Sequence, residues 1–378
     1  MKKQRILLVG IISVGVIALL ILFGWLFRKP LYRLSLGDID ARYRSAMLAY
    51  QEHRYADARK ELAPLARLDT AKCAQFLLGD LLYRGEGGPA DLPEALNLFL
   101  MAARQEHVDA QANAGFMYTY GLGTRQDFGE AMDWLYRAAL RGNPKAQLGM
   151  GNLYKNGWGP VRNEQAALNW YRRAAAHGNS DAMNNIGYMY RNGLGVPRNY
   201  EEALFWFQKA ANLGNSSAQY NIGNLYCWGK GVDKDIVQGA RWMLKSALQE
   251  NAPAQYNLAR MYQWGKGVEK NQEEAMKWYR RAAAQGHEKA MLALARLEKN
   301  ETIEERDSTF MPDEGWPECV SGLGPSLEDG LYLFSISFRW ISSALTEIWI
   351  SQMDIPKEAM SSRRASPKIY ADRSCRQM

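Results

Sequence analysis

The sequence repeats itself with a period of 36 residues, and this constrains the fold more than any other feature. If each copy is numbered from one aligned position, a pair of glycines stands 6 and 8 residues after that position, and an Asp or Asn stands 12 residues after it. A Trp stands 19 residues after the aligned position in five of the six copies. A fixed period of this length is typical of a solenoid of stacked units. The aligned positions are Gly79, Gly115, Gly151, Gly187, Gly223 and Ala259.

Each copy is predicted to form two helices, called helix A and helix B. Helix A extends from about five residues before the aligned glycine to about five after it, which is 146–156 in the third copy. The first glycine of the pair suits a left-handed helix end. The Asp or Asn then caps helix B, and a Glu or Gln three residues later predicts a capping box in every copy except at Ala166.

The aromatic residues are predicted to fill the core between the helices. Most of the 12 Trp and 20 Tyr lie at fixed helical offsets, beside a pair of small residues in helix B. This placement argues against a base-stacking surface. The net charge of +7 is spread without a basic stripe, so nucleic acid is not an expected partner.

The pattern A-x4-G-x2-Y-x2-G-x-G, followed by the Asp or Asn cap, Ala, Trp and Ala-Ala, resembles the Sel1-like repeat family, a relative of the tetratricopeptide repeat. The resemblance covers about residues 74–298 and is weakest in the first copy, where Leu82 and Leu98 replace Tyr and Trp. It implies an all-α fold: a right-handed α-solenoid of antiparallel helix pairs, with about six repeats plus caps. Such solenoids act as scaffolds for protein complexes.

The N-terminus is predicted to be a membrane anchor. Residues 1–5 are basic, and residues 6–27 carry no charge. At 1.5 Å per residue this run spans roughly 33 Å, enough to cross a bilayer. No small-residue cleavage site follows, and Trp25 suits the membrane interface. We therefore expect a single-pass protein of the bacterial inner membrane, with the repeats facing the periplasm.

The remaining segments flank the solenoid. Residues 28–37 form a linker, and residues 38–70 resemble a tetratricopeptide hairpin that caps the solenoid of residues 71–299. Residues 300–378 are a non-repeat tail, predicted to be partly disordered. Within the tail, residues 331–350 are apolar but contain Arg339 and Glu347, which makes a second membrane span costly and favours an amphipathic or poorly folded segment.

No catalytic or metal-binding motif is present in the sequence. The four histidines form no paired motif, and His107 and His287, at the end of helix B or just after it, are interpreted as basic residues that complement the helix dipole. Cys73 and Cys227 fall at surface-type positions of different repeats, so a disulfide between them is not expected. We expect no enzyme activity, cofactor or metal. A cell-envelope enzyme or a penicillin-like ligand site stays open as the alternative function, since some relatives have been linked to such ligands.

The remaining candidate is a protein-binding surface on helix A. In tetratricopeptide-type hairpins, helix A lines the concave face, where the residues six and three before the aligned position and one and four after it should point. These positions are rich in Tyr, Asn and Arg, which suit a peptide groove, whereas a merely solvated face is the alternative. The candidates are Phe76, Asp80, Tyr83, Phe116, Asn152, Lys155, Asn184, Tyr188, Arg191, Tyr220, Asn224, Tyr256 and Arg260. Their basic members predict an acidic peptide across the third to sixth repeats.

Overall fold

A computed structural model describes residues 36–159 and 161–298 of the 378-residue chain. This part of the chain is helical and without strands, as predicted. Its fifteen helices are α1 Leu36–Gln51, α2 Tyr55–Ala66, α3 Lys72–Arg84, α4 Leu92–Arg104, α5 Val108–Tyr120, α6 Phe128–Leu140, α7 Pro144–Asn156, α8 Glu164–Ala176, α9 Ser180–Asn192, α10 Tyr200–Asn212, α11 Ser216–Trp228, α12 Ile236–Ala247, α13 Ala252–Trp264, α14 Gln272–Ala284 and α15 Glu288–Glu298.

The helices pair in chain order, and each pair packs on the next one. Helices α1 and α2 precede the repeats, and α3–α4 through α13–α14 are the six repeats. Helix α15 stands at the position of helix A in a seventh repeat. This arrangement confirms the α-solenoid of helix pairs that the period indicates.

The paired glycines have two different roles. The first ends helix A in the left-handed conformation, with φ of +71° at Gly157 and +71° at Gly193. The second lies against the start of helix B in the preceding repeat. A Cβ on Gly123 would overlap the backbone carbonyl carbon of Leu92, so only glycine allows this approach between repeats.

Helix B has the predicted N-cap residue but not the predicted capping box. Asp127 accepts hydrogen bonds from the backbone amides of Gly129 and Glu130, at 2.9 and 3.0 Å. The amide of Asp127 does not complete a capping box, because it donates to the carbonyl of Tyr118 at 3.0 Å. Glu130 instead accepts a hydrogen bond from Nε1 of Trp134, at 3.0 Å.

His107 and His287 stand just after helix B, as predicted, but the interpretation that they complement the dipole of helix B was wrong, because their side chains cap the next helix. Nδ1 of His107 accepts from the amide of Ala110, and Nδ1 of His287 accepts from that of Ala290, both at 3.2 Å. The equivalent residues of the third to sixth repeats are asparagines that form the same bond: Asn143, Asn179, Asn215 and Asn251. The histidines are therefore N-caps of helix A-type helices, where a neutral imidazole is needed.

A core position that is buried in all six repeats lies one residue after the position of the recurrent Trp. Its side chains are at most 2 % exposed and differ in kind: Phe99, Leu135, Tyr171, Phe207, Met243 and Tyr279. Each packs toward the aligned position of its own repeat, and a Cβ on Gly151 would overlap the ring of Tyr171. The aligned residue is small for this reason. Trp170, Trp206 and Trp242 are only half-buried, so they cover the core rather than fill it.

Both repeat cysteines are buried, which corrects the expectation of surface-type positions. Cys73 is 7 % exposed and Cys227 is 3 % exposed. Cys227 has a free thiol, and burial raises its pKa to about 12. Its sulfur occupies the space that a Cβ on Gly239 would need, which explains glycine where the five other repeats have Ala95, Ala131, Ala167, Ala203 and Ala275.

The predicted anchor at residues 6–27 and the tail at residues 300–378 lie outside the described residues. None of the helices between residues 36 and 298 is long and apolar enough to cross a membrane.

Candidate binding surface

The residues predicted to bind a partner lie on the A helices, and we call these thirteen side chains the helix-A surface. Ten of them are half-buried. Arg191, Tyr220 and Asn224 are only 2 %, 7 % and 1 % exposed. Their burial leaves these three side chains little accessible to a ligand. Arg191 and Tyr220 reach across to helix A of the next repeat, which withdraws them from the open face.

The first repeat presents an aromatic and acidic region. The Phe76 ring stacks on His107 with ring centres 4.4 Å apart, and the Tyr83 ring lies 6.4 Å from that of Phe99. Asp80 forms an ion pair with Arg84 at 3.1 Å. Burial raises the pKa of the Asp80 carboxyl, although the neighbouring Arg84 acts in the opposite direction.

The second and third repeats contribute isolated features. Phe116 packs on Tyr120, with ring centres 4.5 Å apart. Asn152 uses its side-chain oxygen to accept a hydrogen bond from the Tyr171 hydroxyl at 2.7 Å, which ties this surface to the core. Lys155, in the last turn of α7, is half-buried.

The fourth and fifth repeats share a polar network. Nη1 of Arg191 donates to Oδ1 of Asn221 at 2.9 Å, and Nδ2 of Asn221 donates to Oδ1 of Asn184 at 2.9 Å. The guanidinium carbon of Arg191 also lies 4.8 Å from the centre of the Tyr188 ring. This network brings together Asn184, Tyr188 and Arg191, which the offsets selected, with Asn221, which they missed.

The fifth and sixth repeats continue this polar surface. The Tyr220 hydroxyl accepts from Nδ2 of Asn257 at 3.4 Å. Nδ2 of Asn224 is buried and has no acceptor. Tyr256 stacks on His287 with ring centres 4.8 Å apart, and Arg260 lies 5.7 Å from the centre of that tyrosine ring.

One recurrent position was missed by the sequence analysis. An asparagine stands two residues before the aligned position in four repeats, at Asn113, Asn185, Asn221 and Asn257. Its recurrence at the period was the available signal. The sequence analysis excluded this position because it assumed that only four positions of helix A point away from helix B.

The side chains of the helix-A surface are suited to binding. Between residues 36 and 298, no three His, Cys, Asp or Glu side chains are grouped so that they could hold a metal ion. The helix-A surface instead presents amides, tyrosines and cations. A repeated helical scaffold with such a surface defines the class of α-solenoid protein-interaction modules.

Comparison with known protein families assigns the chain within this class. The Sel1 repeat profile matches six consecutive segments, at residues 74–107, 108–143, 144–179, 180–215, 216–251 and 252–287. These segments make up more than half of the chain, which therefore belongs to the Sel1 repeat family. Sel1 repeats are generally protein–protein interaction modules, and the proteins that contain them are generally non-catalytic scaffolds.

Two solved structures support the assignment. A Sel1 repeat protein from Oxalobacter formigenes is 31% identical, with a TM-score of 0.58 and coverage of 64% of this chain and 96% of that one. A protective antigen of uropathogenic Escherichia coli strains, which displays an SLR fold, is 32% identical with a TM-score of 0.55. That match covers 72% of this chain but only 59% of the antigen. A comparison with curated proteins finds no match.

Proposed function

We propose that this protein is a membrane-anchored scaffold that binds an acidic segment of a partner protein on its helix-A surface. The ligand lies across the third to sixth repeats as an extended or helical peptide. The observation that carries this proposal is the hydrogen-bond network of Arg191, Asn221 and Asn184, because it fixes which groups remain available to a ligand.

The network directs amide hydrogens toward the open surface. Arg191 can only donate, so Asn221 must turn its oxygen to the guanidinium and its nitrogen to the oxygen of Asn184. The nitrogen of half-buried Asn184 then remains as a donor. A ligand that supplies acceptors, such as carboxylates and peptide carbonyls, matches this donor.

Charge favours the same ligand. Lys155 and Arg260 are half-buried members of the helix-A surface in the third and sixth repeats. The nearby Asp181 accepts a hydrogen bond from the helix cap Asn215 at 2.7 Å, so this carboxylate is engaged within the scaffold. Electrostatic attraction of this kind mainly accelerates association, whereas buried aromatic contacts supply affinity.

A pair of isosteric substitutions tests the ligand chemistry. A partner is first isolated with the soluble repeats, and its affinity is then measured for the Asn184→Asp variant. The control is Asn169→Asp, which lies on the exposed side of α8. Asn184→Asp keeps the acceptor for Asn221 and replaces the outward donor by a carboxylate oxygen. We expect it to weaken binding by about 1–3 kcal/mol. Unchanged binding by Asn184→Asp, or equal loss from both variants, would contradict the proposed surface.

The anchor is part of the same proposal. We propose that the uncharged residues 6–27 anchor the protein in a bacterial inner membrane, with the repeats facing the periplasm. Deletion of residues 1–28 should yield a soluble helical protein. A truncated protein that still sediments with membranes would shift the anchor to another segment, such as residues 331–350.

A further inference from the structure

The last described helix exposes positions that are core positions in every complete repeat. In the six repeats, the residue before the aligned position is at most 8 % exposed, and the residue two after it is at most 1 % exposed. The equivalent residues of α15 are Leu294 and Leu297, which are only partly buried. Ala295, at the aligned position itself, is exposed.

Other apolar side chains of α15 are open as well. Met291 is 44 % exposed and Leu292 is 62 % exposed. Every other helix A packs against a helix B that follows it in the chain, from α3 with α4 to α13 with α14. Leu294, Ala295 and Leu297 thus belong to the face that a helix B covers elsewhere in the solenoid.

The helix B that fits such a face has a defined pattern. A small residue, Ala or Gly, stands three residues before the position of the Trp, and an apolar residue stands two before it. The deep core residue follows directly after the Trp position, and Ala or Ser stands four residues after it. The fourth repeat shows the pattern complete: Ala203, Leu204, Trp206, Phe207 and Ala210.

A related pattern, with Ser in place of Ala or Gly and with its Trp 45 rather than 19 residues after the aligned position, occurs in the 80 residues that follow α15, outside the described part of the chain. Around Trp340, Ser337 is the small residue, Phe338 the apolar one and Ile341 the residue at the core position. Ala344 stands four residues after the Trp. Leu345 and Ser343 depart from the usual Ala and Lys or Arg.

We propose that residues 331–350 of this chain dock on α15 as the helix B of a seventh repeat. The occupant belongs to the same chain because residues 331–350 follow α15 in the sequence and carry the related pattern. Docking places Ile341 against Ala295. The apolar character of this segment then results from burial in the solenoid rather than from a membrane span.

The repeats specify which residues must come together. A Cβ built on the aligned glycine would lie 3.0 Å from the carbonyl oxygen of Ala131 for Gly115 and 3.1 Å from that of Ala203 for Gly187. These alanines stand 16 residues after the glycine, and Ser337 holds that place in the proposed helix. Cysteines at 295 and 337 should therefore be within reach of a disulfide.

The test is oxidation of the full-length Ala295→Cys/Ser337→Cys variant, with the cross-linked peptides identified by mass spectrometry. We expect a 295–337 disulfide within one chain and at least tenfold less for Ala295→Cys/Ser342→Cys, because residue 342 corresponds to the outer side of helix B. No 295–337 link would overturn the proposal. A link only between chains would assign the face to a second copy and would also overturn it.

A second measurement does not depend on cysteine chemistry. In the full chain, Ile341→Asp should increase the rate of amide hydrogen exchange in α15, since a buried charge would displace the docked segment. Ser342→Asp adds the same charge one residue away and should leave α15 protected. Equal protection of α15 in both variants would contradict the docking.

Discussion

The two sides of helix A differ in how much they change from repeat to repeat. The side facing helix B keeps a small residue at the aligned position against a fully buried side chain, from Gly79 with Phe99 to Ala259 with Tyr279. The helix-A surface changes from Phe76 and Asp80 in the first repeat to Asn184 and Arg191 in the fourth. The sequence therefore specifies the packing of helix A on helix B in all six repeats, whereas it specifies any one contact of the helix-A surface in a single repeat.

This difference separates stability from recognition. In a solenoid the free energy of unfolding is approximately the sum of a contribution from each repeat and one from each contact between neighbouring repeats. The repeated packing of helix A on helix B therefore sets stability. Side chains of the helix-A surface can vary without loss of this packing. Substitutions on the two sides should accordingly affect different measurements, and the following predictions are ordered from the largest expected effect to the smallest.

The largest effect is expected at the core position of the third repeat. Tyr171 is fully buried and donates to Asn152, so Tyr171→Ala should lower the free energy of unfolding by about 3–5 kcal/mol. Trp170 is half-buried and packs on Arg173 and Tyr136, so Trp170→Ala should cost roughly half as much. Chemical denaturation of the soluble repeats compares the two. A larger loss for Trp170→Ala would reverse our assignment of the core.

The sequence predicted the helices because their ends depend on single residue types. The left-handed conformation at Gly157 and the cap at Asp127 follow from local chemistry, and both recur at the period. The core position after the Trp was overlooked because Phe99, Leu135 and Met243 share size but not identity. The burial of Arg191 was not predictable from its offset, since it depends on a contact with Asn221 in another repeat.

A smaller effect is expected from filling the space beside the core residue. In Gly151→Ala the new methyl group would overlap the Tyr171 ring, so we expect a loss of about 1–3 kcal/mol in the free energy of unfolding. Gly129→Ala is the matched control, because a Cβ there approaches only the Asp127 carboxylate, at 3.2 Å. Thermal denaturation should show a lower Tm for Gly151→Ala alone. Equal stability of both variants would contradict close packing at the aligned position.

The cap of α15 should give a small pH-dependent effect. Nδ1 of His287 must be unprotonated to accept from Ala290, and burial, with a smaller contribution from Lys289, lowers the pKa of this histidine. The folded protein then binds fewer protons than the unfolded chain, so stability falls as the pH drops from 6.5 through the lowered pKa.

His287→Asn isolates this cap, which contributes about 1 kcal/mol. Asparagine forms the same bond at Asn251 and does not titrate, so the variant should lose less stability than the wild type between neutral and acidic pH. Hydrogen exchange in α15 at the two pH values measures the difference. The same acid-induced change in both proteins would exclude His287 as its origin.

The most direct test of the account compares two charge reversals that alter the net charge equally. Lys155→Glu/Arg260→Glu changes the helix-A surface, and Lys209→Glu/Lys245→Glu changes exposed residues of helix B. Association rates with an isolated partner are measured at low and high salt, with thermal denaturation as a check of folding. We predict a slower association for the first variant only, most evident at low salt, with the repeats still folded. Equal slowing by both variants, or by the helix B variant alone, would contradict the claim that this solenoid recognises its partner through helix A.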